Sequence, residues 1–580
     1  MSEEKSLILG IDLGTSSVKV ALVTCEPTAT VITNISRSFG NATITVPNVL
    51  GCSLQNNENN QDVARIFNCL HILLNRIPPG QLKRVVAIAV TGQMHGIVGW
   101  IGGDLAFNKE SKRNKQRLDV AAVAGGCGNL TTWLDRRCDA NFIASLPKPT
   151  KSEKPYPGFG CAIILWHLKN RTGEFSLTPI SSMEEEKFFQ RVTMLRKISA
   201  GSDGAPASKD DQYHYRTRIF TDDQMPKTRS TSQITPPNFF HASSNKDKVD
   251  RHPPWTCAGT IADLLVVGLT EIPKPIMSPQ MAASWGYFDV EHSQWDTTAL
   301  EAAGFPIHLL PEIRPCGEIV GKLAFQWEGI PAGADVFVAL GDLQCSVYPY
   351  LLREGTAVCN VSTSAQIAFM LPKQFNSTAN HTHCDPAETI YSHHLQLGHI
   401  NEWPYFYPGE RIVVAASLNG GNVIDRFVKM LRAWCRQLGC AAMDDEHVYD
   451  RLTHIQVRKS ERPGMVVVPR LFGERNSADE SASVLKIQSE NLCLGEVYAA
   501  ICEGVVQNLV SMAPEELLVA SNIKHLYCMG GALKRNPILL QQLEKEYKSL
   551  ECLPNTESIE ACVGVALFTG SILTAQNLAK

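Results

Sequence analysis

The chain has 580 residues, which is too long for one hydrophobic core, so we expect at least two domains. Its composition is that of a globular protein, with 44% hydrophobic and 19% charged residues, and its formal net charge is −4. This balance gives no electrostatic reason to expect binding to nucleic acid or to an anionic membrane.

The first residues are charged and lack the plan of a signal peptide, and no apolar run reaches membrane-spanning length. We therefore expect a cytoplasmic protein whose 18 cysteines are reduced and mostly buried.

The first predicted element is a pair of strands joined by a hydroxyl-rich turn. Residues 7–12 form an apolar run that ends in Asp12, residues 18–23 form a second run, and the turn between them contains Gly14, Thr15, Ser16 and Ser17. Such a turn offers backbone N–H groups and hydroxyls to an anion such as phosphate, and a carboxylate suits Mg²⁺. The alternatives are an ordinary β-hairpin and a turn-capping aspartate.

The next elements have the order of an α/β domain. A helix-like pattern covers residues 62–74, and a buried strand is predicted at residues 84–90. This strand leads into Gln93, Met94 and His95, and the polar residues 108–117 that follow are typical of a solvated loop.

Residues 177–251 have a different character. They are rich in charged residues, Ser, Thr and Pro and have few periodic apolar positions, which is typical of a disordered insertion. A structureless stretch of this length is unusual inside a compact domain. It is either a genuine surface insertion or sequence foreign to the core protein, as in a faulty gene model.

The second half repeats the opening device. A buried strand at 336–340 leads to Asp342, and a second hairpin follows, with strands at 357–361 and 366–369 joined by Ser362, Thr363 and Ser364. Two such turns, one in each half, are suited to hold a triphosphate from opposite sides. Further on we predict a helix at 492–512, a strand at 524–529 that enters Gly530-Gly531, and helices near Pro537 and from Glu560.

Asp342 is the candidate catalytic residue. A carboxylate at a strand end is placed to accept the proton of an attacking hydroxyl, as a general base does. The alternative is a helix N-cap, and an aspartate can do both.

Other residues are suited to a polar ligand, which needs hydrogen-bond donors and acceptors and, for its apolar faces, an aromatic wall. The residues that supply these groups are Gln93, His95, Trp133, Asp135 and Arg137. The histidines of residues 381–399 fit no structural zinc spacing, so we expect no metal there. The chain also has neither a P-loop nor a dinucleotide-binding glycine motif.

The motifs together resemble a known family. Gly10-Ile11-Asp12-Leu13-Gly14-Thr15-Ser16 resembles the first phosphate motif of the actin, hexokinase and heat-shock ATPase superfamily. Within that superfamily the chain is similar to the FGGY carbohydrate kinases, and to their heptulose kinases above all. The segments that carry this resemblance are 93–96, 133–137, 280–288, 339–344, 415–422 and 473–475.

The resemblance implies a fold and an activity. It implies an α/β fold of two ribonuclease-H-like domains with an interdomain cleft, a sugar-binding domain at residues 1–315 and an ATP-binding domain at 316–580. It also implies ATP- and Mg²⁺-dependent phosphorylation of a ketose, with sedoheptulose favoured and sedoheptulose 7-phosphate, a pentose phosphate pathway metabolite, as product. The partners are then a small sugar and ATP, with no nucleic acid or membrane.

The resemblance also assigns site residues. The implied sugar contacts are Gln93, Met94, His95, Trp133, Asp135, Arg137, Asp342 and Gln344, with Asp342 as the base. Mg²⁺ is assigned to Asp12. The implied nucleotide contacts are Asp12, Gly14, Thr15, Ser16, Ser17, Ser362, Thr363, Ser364, Asn419, Gly420, Gly421, Gly530, Gly531 and Asn536, and Gly530-Gly531 makes room for the purine and ribose.

Some positions depart from the family pattern. Leu134 stands where Gln or Asn is usual, Arg136 stands where pentulose and heptulose kinases have Gly, and the second turn, Ser362 to Ser364, lacks a common glycine. These departures concern the substrate more than the reaction. The alternatives are a xylulokinase or another sugar or polyol kinase, and a non-catalytic actin-like ATP-binding protein.

Overall fold

The computed structural model describes residues 5–26, 28–40, 58–101, 128–152, 155–170, 255–371, 386–440, 443–455, 464–474, 481–555 and 560–578. The elements below belong to one compact unit, formed by residues 1–170 and 253–580. The predicted insertion at 177–251 and the predicted loop at 108–117 lie outside the described residues.

The first sheet has seven strands and contains the first predicted hairpin. Its order from one edge to the other is Ile319–Lys322, Asp335–Phe337, Val85–Gly92, Leu7–Leu13, Ser17–Thr24 and Val31–Ser38, and the short strand Leu340–Gly341 also pairs with Val85–Gly92. Every residue of Leu7–Leu13 is buried, as an apolar central strand requires.

The second sheet has six strands and contains the second predicted hairpin. Its order is Asn401–Pro404, Arg411–Ser417, Ala365–Met370, Thr356–Val361, His525–Met529 and Glu551–Pro554. Smaller two-stranded sheets pair Asn60–Gln61 with Leu130–Thr131, Val98–Trp100 with Cys257–Gly259, Ile276–Met277 with Glu312–Ile313, Phe288–Asp289 with Gln294–Trp295, and Val466–Val468 with Ser483–Leu485.

The two large sheets share one arrangement. In each, the first strand of a hairpin pairs antiparallel with the second strand and parallel with a later one, Val85–Gly92 in the first sheet and His525–Met529 in the second. A third antiparallel strand and a further parallel strand extend both sheets in the same order. This duplication confirms the predicted α/β fold of two ribonuclease-H-like halves, which we call the first and second lobes.

Helices cover the sheets. The helix Val63–Leu74 confirms the periodicity of residues 62–74, and the Asp62 side chain caps it by accepting from the Arg65 N–H. The other described helices of the first lobe and of the connecting segments are Pro79–Leu82, Ala140–Ser145, Gly160–Asn170, Ile261–Thr270, Pro279–Ala283, Thr297–Ala302, Ile307–Leu309 and Asp342–Leu351. Those of the second lobe are Pro386–Gln396, Gly421–Gln437, Asp445–Thr453, Ser489–Asn491, Leu494–Met512, Glu515–Ala520, Gly531–Arg535 and Pro537–Glu546.

The last helix, Ala561–Leu578, returns to the first lobe and packs against the first hairpin and the helix Asp342–Leu351. Two glycines permit this approach. A Cβ at Gly10 would lie 1.9 Å from the Cys562 carbonyl oxygen, and a Cβ at Gly564 would lie 1.8 Å from that of Cys345. The C-terminal helix is thus held directly against the strand that carries Asp12.

The predicted division of the chain between residues 315 and 316 stays a prediction. Pairing favours a later division, because the strands Ile319–Lys322, Asp335–Phe337 and Leu340–Gly341 belong to the first sheet and Thr356–Val361 begins the second. Among the described residues, no helix combines the length and apolarity that crossing a membrane requires.

Candidate active site

Three parallel strands of the first sheet end side by side and carry the candidate residues. Thr91, near the end of the central strand Val85–Gly92, pairs with Asp12 on one side and with Leu340 on the other. Gln93 to His95 follow the central strand, and Asp342 follows Leu340–Gly341. Because strands are spaced about 4.8 Å apart, Asp12 and Asp342 flank the Gln93 segment at one edge of the sheet. The carboxyl ends of parallel strands are where open α/β sheets bind ligands.

Asp12 has a buried carboxylate at this edge. It is 3% exposed, its Oδ1 lacks a hydrogen-bond partner, and its Oδ2 lies 3.5 Å from Lys19 Nζ. Burial raises the pKa of Asp12 to about 6, although the charge of Lys19 counteracts this rise. An unpartnered carboxylate oxygen is an oxygen ligand of the kind that Mg²⁺ prefers. The residues present therefore fit a magnesium site at Asp12.

Asp342 is the first residue of the helix Asp342–Leu351, and Gly341 is the N-cap. Its Oδ1 accepts a 2.8 Å hydrogen bond from the Leu343 N–H. Desolvation raises the pKa of Asp342 to about 7, and the negative charge of Asp12 adds to the rise. A carboxylate with a pKa close to neutral pH is suited to take a proton in catalysis.

The turn of the first hairpin is tied to its neighbours. The Gly14 N–H donates to the Ser17 carbonyl at 3.1 Å, and the Gln61 amide donates to the Thr15 carbonyl at 2.8 Å. The exposed Ser16 and the half-buried Thr15 and Ser17 remain at the surface of the turn. The turn is thus held in shape by one bond within the hairpin and by one from Gln61, as a preformed anion site requires.

Gln93 and Trp133 both reach this turn. Gln93 Nε2 donates to Gln61 Oε1 at 3.3 Å and to the Gly14 carbonyl at 3.5 Å, while Gln93 Oε1 is buried without a partner. Trp133 Nε1 donates to Thr15 Oγ1 at 3.0 Å. The structure therefore brings two predicted sugar residues into contact with the predicted phosphate turn.

Asp135 and Arg137 form a buried ion pair. Asp135 Oδ1 accepts from Arg137 Nε at 2.8 Å, and Oδ2 accepts from Arg137 Nη2 at 2.7 Å and from the Asn59 N–H at 2.7 Å. The side chains are at most 3% exposed. Both carboxylate oxygens are thus occupied within the protein, and a direct sugar contact by this pair stays a prediction.

His95 is fixed in an unusual backbone conformation. Its φ is +70°, and its N–H donates to Ser284 Oγ at 3.0 Å. Its ring Nδ1 lies 2.8 Å from the Ser284 carbonyl oxygen, which assigns the Nδ1 proton to that bond. The ring stacks on Phe159 with centroids 4.7 Å apart and meets the Trp403 ring edge at 5.7 Å. His95 thus packs against two aromatic rings other than Trp133, and the predicted sugar contacts of His95 and Trp133 stay predictions.

Two glutamine side chains link Asp342's strand to the second lobe. Gln280 Oε1 accepts from the Gly341 N–H at 3.0 Å and its Nε2 donates to the Tyr405 carbonyl, while Gln344 Nε2 donates to the Pro404 carbonyl at 3.1 Å. Gly341 allows close packing here, because a Cβ would lie 2.3 Å from Gln344 Oε1 and 2.8 Å from Met94 Sδ, so that both side chains would have to shift. Met94 and Gln344 thus pack against the strand that leads to Asp342, and their predicted sugar contacts stay predictions.

The second hairpin turn packs against the N-terminus of the helix Gly421–Gln437. The carbonyls of Ser362 and Thr363 accept from the Gly421 and Asn422 N–H groups at 2.7 and 3.0 Å. A Cβ at Gly420 would lie 2.4 Å from the Ser364 carbonyl carbon. Ser362 and Thr363 are exposed, so their hydroxyls are accessible to a ligand.

Gly530 and Gly531 lie at the end of the adjacent strand. Gly530 has φ +107°, and a Cβ there would lie 2.3 Å from the Val361 carbonyl oxygen. A Cβ at Gly531, by contrast, would meet nothing within 4 Å. The first glycine is therefore needed for packing, and the second is exposed and borders open space.

Asn419 and Asn536 are held in the protein interior. Asn419 Nδ2 donates to the Gly473 carbonyl and to Glu474 Oε1, both at 2.8 Å. Asn536 Nδ2 donates to Tyr498 Oη at 3.0 Å, and its Oδ1 caps the next helix. Both side chains are fully buried, and their predicted nucleotide contacts stay predictions.

Arg136 connects the two lobes. Its Nη2 donates to the Phe472 carbonyl at 3.2 Å, and the Phe472 N–H donates to Asn419 Oδ1 at 3.2 Å. Glu474, which accepts from Ser417 Oγ, the Leu418 N–H and Asn508 Nδ2, anchors this segment. Arg136, which departs from the family pattern, thus joins the Trp133–Arg137 segment to the segment that holds Asn419, a predicted nucleotide residue.

Sequence reasoning did not select Lys19, Gln61 or Glu560 as site residues. Lys19 is detectable in retrospect as the charged residue of an apolar strand, and it lies directly opposite Asp12 in the hairpin register. Gln61 and Glu560 reach the site through pairing and helix packing between distant parts of the chain, which a local pattern does not report.

The family model of the FGGY family of carbohydrate kinases, N-terminal domain, matches residues 242–348. The chain is 33% identical to sedoheptulokinase of Homo sapiens and 34% identical to that of Mus musculus, in each case over 97% of both chains. The solved structure of a ligand-bound xylulose kinase from Lactobacillus acidophilus has a TM-score of 0.60 at 16% identity and covers 99% of this chain and 90% of that one. This structural likeness supports the fold, and the full-length similarity to the two relatives places the chain in the FGGY family of carbohydrate kinases.

Proposed function

We propose that this FGGY sugar kinase phosphorylates sedoheptulose with ATP to give sedoheptulose 7-phosphate. The similarity to two sedoheptulokinases over 97% of the chain is the observation that supports this choice of substrate. Xylulose is the second candidate, favoured only by the fold-level likeness to a xylulose kinase.

The proposed base is Asp342. A primary hydroxyl of the sugar is a poor nucleophile until its proton has an acceptor, and a raised carboxylate pKa matches that task. The helix N-terminus fixes the carboxylate, because the Leu343 N–H donates to Asp342 Oδ1. In phosphoryl transfer the remaining demand is alignment and neutralisation of charge.

The proposed nucleotide groups lie on both hairpin turns. Asp12 would hold Mg²⁺, which supplies charge neutralisation to the phosphates when it is bound. Lys19 contributes a fixed positive charge at the same turn. The hydroxyls of Ser362 and Thr363 face the phosphates from the second lobe, and the open space at Gly531 takes the nucleoside.

The proposed division of labour places the sugar on the first lobe and ATP mainly on the second. His95 lies beside the Phe159 and Trp403 rings, and Gln93 and Trp133 contact the first hairpin turn. Polar and aromatic groups together suit a polyol with both apolar and hydroxylated faces. Closure of the lobes would exclude water, so that phosphate passes to the sugar and not to water. We place this activity in the cytoplasm and in pentose phosphate metabolism.

The test is a screen of ADP release with free ketoses and polyols, followed by identification of the phosphorylated position. We expect the highest kcat/KM with sedoheptulose and a product phosphorylated at the terminal carbon. A higher kcat/KM with xylulose would favour the second candidate.

A further inference from the structure

The ammonium of Lys19 lies between two carboxylates that are distant in sequence. Its Nζ is 3.5 Å from Asp12 Oδ2 and 3.7 Å from Glu560 Oε2. The Asp12 side chain is 4% exposed, whereas those of Lys19 and Glu560 are 28% and 25% exposed. The Lys19 ammonium thus lies close to both carboxylates in a largely desolvated environment.

Backbone contacts hold Asp12, Lys19 and Glu560 close to one another. Asp12 and Lys19 are direct partners in the antiparallel pairing of the first hairpin. Glu560 stands at the start of the C-terminal helix, and its carbonyl accepts from the Val563 and Gly564 N–H groups at 2.9 and 3.1 Å. The close approach of this helix at Gly10 holds the Glu560 end beside the hairpin.

The distances show that Lys19 is shared. Charge-assisted hydrogen bonds between ammonium and carboxylate are usually about 2.7–2.9 Å long, and both separations here are longer. If Glu560 lost its charge, Lys19 would be attracted by Asp12 alone and would close onto that carboxylate. A tight ion pair with Lys19 competes with binding of a divalent cation at the same carboxylate.

We propose that Glu560 is a positioning residue that holds Lys19 away from Asp12, so that Asp12 keeps an oxygen available for magnesium-bound nucleotide. The inference rests on the proposed function of Asp12 as the magnesium residue. In this proposal Glu560 acts through Lys19 and not by direct contact with the nucleotide or with Mg²⁺. The start of the C-terminal helix is thereby part of the site, although it follows Asp12 by more than five hundred residues.

The test is calorimetric binding of MgADP, and of ADP in EDTA, to full-length variants. Glu560→Gln keeps the side chain's size and the backbone bonds of the helix but removes the charge. We expect the MgADP Kd to rise about tenfold, while binding of metal-free ADP changes less than about twofold. Glu560→Asp keeps the charge and is expected to retain most of the affinity.

Two controls isolate the mechanism. Glu26→Gln makes the same chemical change in an ion pair with Lys5 at the other end of the first hairpin, and it should leave MgADP binding unchanged. In a Lys19→Met background, Glu560→Gln should have no further effect on MgADP binding, because the residue through which it acts is gone. Thermal unfolding verifies that each variant is folded, and Glu560→Asn replaces Glu560→Gln if the latter does not fold.

The outcomes separate this inference from the proposed function. If Asp12→Asn weakens MgADP binding and Glu560→Gln does not, the role of Glu560 is refuted and that of Asp12 stands. If the Glu560→Gln effect persists without Lys19, Glu560 acts on the cation itself and the positioning role is wrong. If Asp12→Asn leaves the ratio of MgADP to ADP affinity unchanged, both ideas fail.

Discussion

Burial raises the pKa of Asp342 and the negative charge of Asp12 raises it further, although Asp12 lies in the strand Leu7–Leu13 and Asp342 follows the strand Leu340–Gly341. They are brought together because both strands pair with Val85–Gly92, one on each side. The proposed Mg²⁺ ligand, Asp12, thus raises the pKa of the proposed general base, Asp342. This relationship makes the two roles separately testable.

The first prediction concerns the base. Asp342→Asn keeps the size of the side chain and can still accept from the Leu343 N–H, but it cannot take a proton. We expect kcat to fall by about 10²–10⁴-fold, with Kd values for sugar and ATP changed little, because the lost interaction belongs to the transition state. Steady-state kinetics and calorimetry check this; near-normal kcat with a raised KM would make Asp342 a binding residue.

The second prediction concerns pH. The base must be ionised to act, and the pKa of Asp342 is raised to about 7, so kcat/KM should fall as pH decreases through that value. Asp12→Asn removes a negative charge that raises this pKa. The acid limb of its residual activity should therefore move to lower pH. A limb that stays in place would show that Asp12 does not act on the titrating group.

The third prediction concerns Gly531. An added Cβ meets no protein atom within 4 Å, so Gly531→Ala should leave the thermal midpoint unchanged or slightly raised, since Ala favours helix over Gly by up to about 1 kcal/mol. If the nucleoside occupies this space, ATP affinity should fall about tenfold. Gly80→Ala, also in an open helical position, is the matched control. Unchanged ATP affinity in Gly531→Ala would move the nucleoside elsewhere.

The fourth prediction concerns the contact between Arg136 and the Phe472 carbonyl, which joins the two lobes. Arg136→Met keeps much of the side chain's length but removes the donor. A hydrogen bond contributes about 0.5–1.5 kcal/mol net. We therefore expect that the factor by which saturating sugar lowers the ATP Kd will be about 2- to 10-fold smaller in this variant than in the unmodified protein. Arg76→Met, at another exposed arginine of the first lobe, should not alter this coupling.

Much of the architecture was predictable because it depends on local pattern. The two hairpins, the helix after Asp62 and the strands that end at Gly92 and Met529 have apolar periodicity with clear turn residues at their ends. The predicted strand at 336–340 is instead two short strands, Asp335–Phe337 and Leu340–Gly341, both paired with Val85–Gly92.

The details of the site depend on contacts between distant segments. Asp135 could be selected as a polar residue near Trp133, but not as a carboxylate satisfied by Arg137 and the Asn59 N–H. Similarly, Asn536 has the residue type of a ligand contact, and only packing against Tyr498 shows how its amide is used. The sequence pattern identifies which polar side chains could bind a ligand. Contacts in the folded protein decide which of these side chains already have hydrogen-bond partners.

The most direct test of the account is sugar-dependent ADP formation by the full-length protein with sedoheptulose and ATP. A sugar kinase whose base is Asp342 should release ADP rapidly, form one equivalent of sedoheptulose 7-phosphate per ADP, and lose both activities in Asp342→Asn. ADP release that does not depend on added sugar, or that Asp342→Asn leaves unchanged, would contradict a sugar kinase whose base is Asp342.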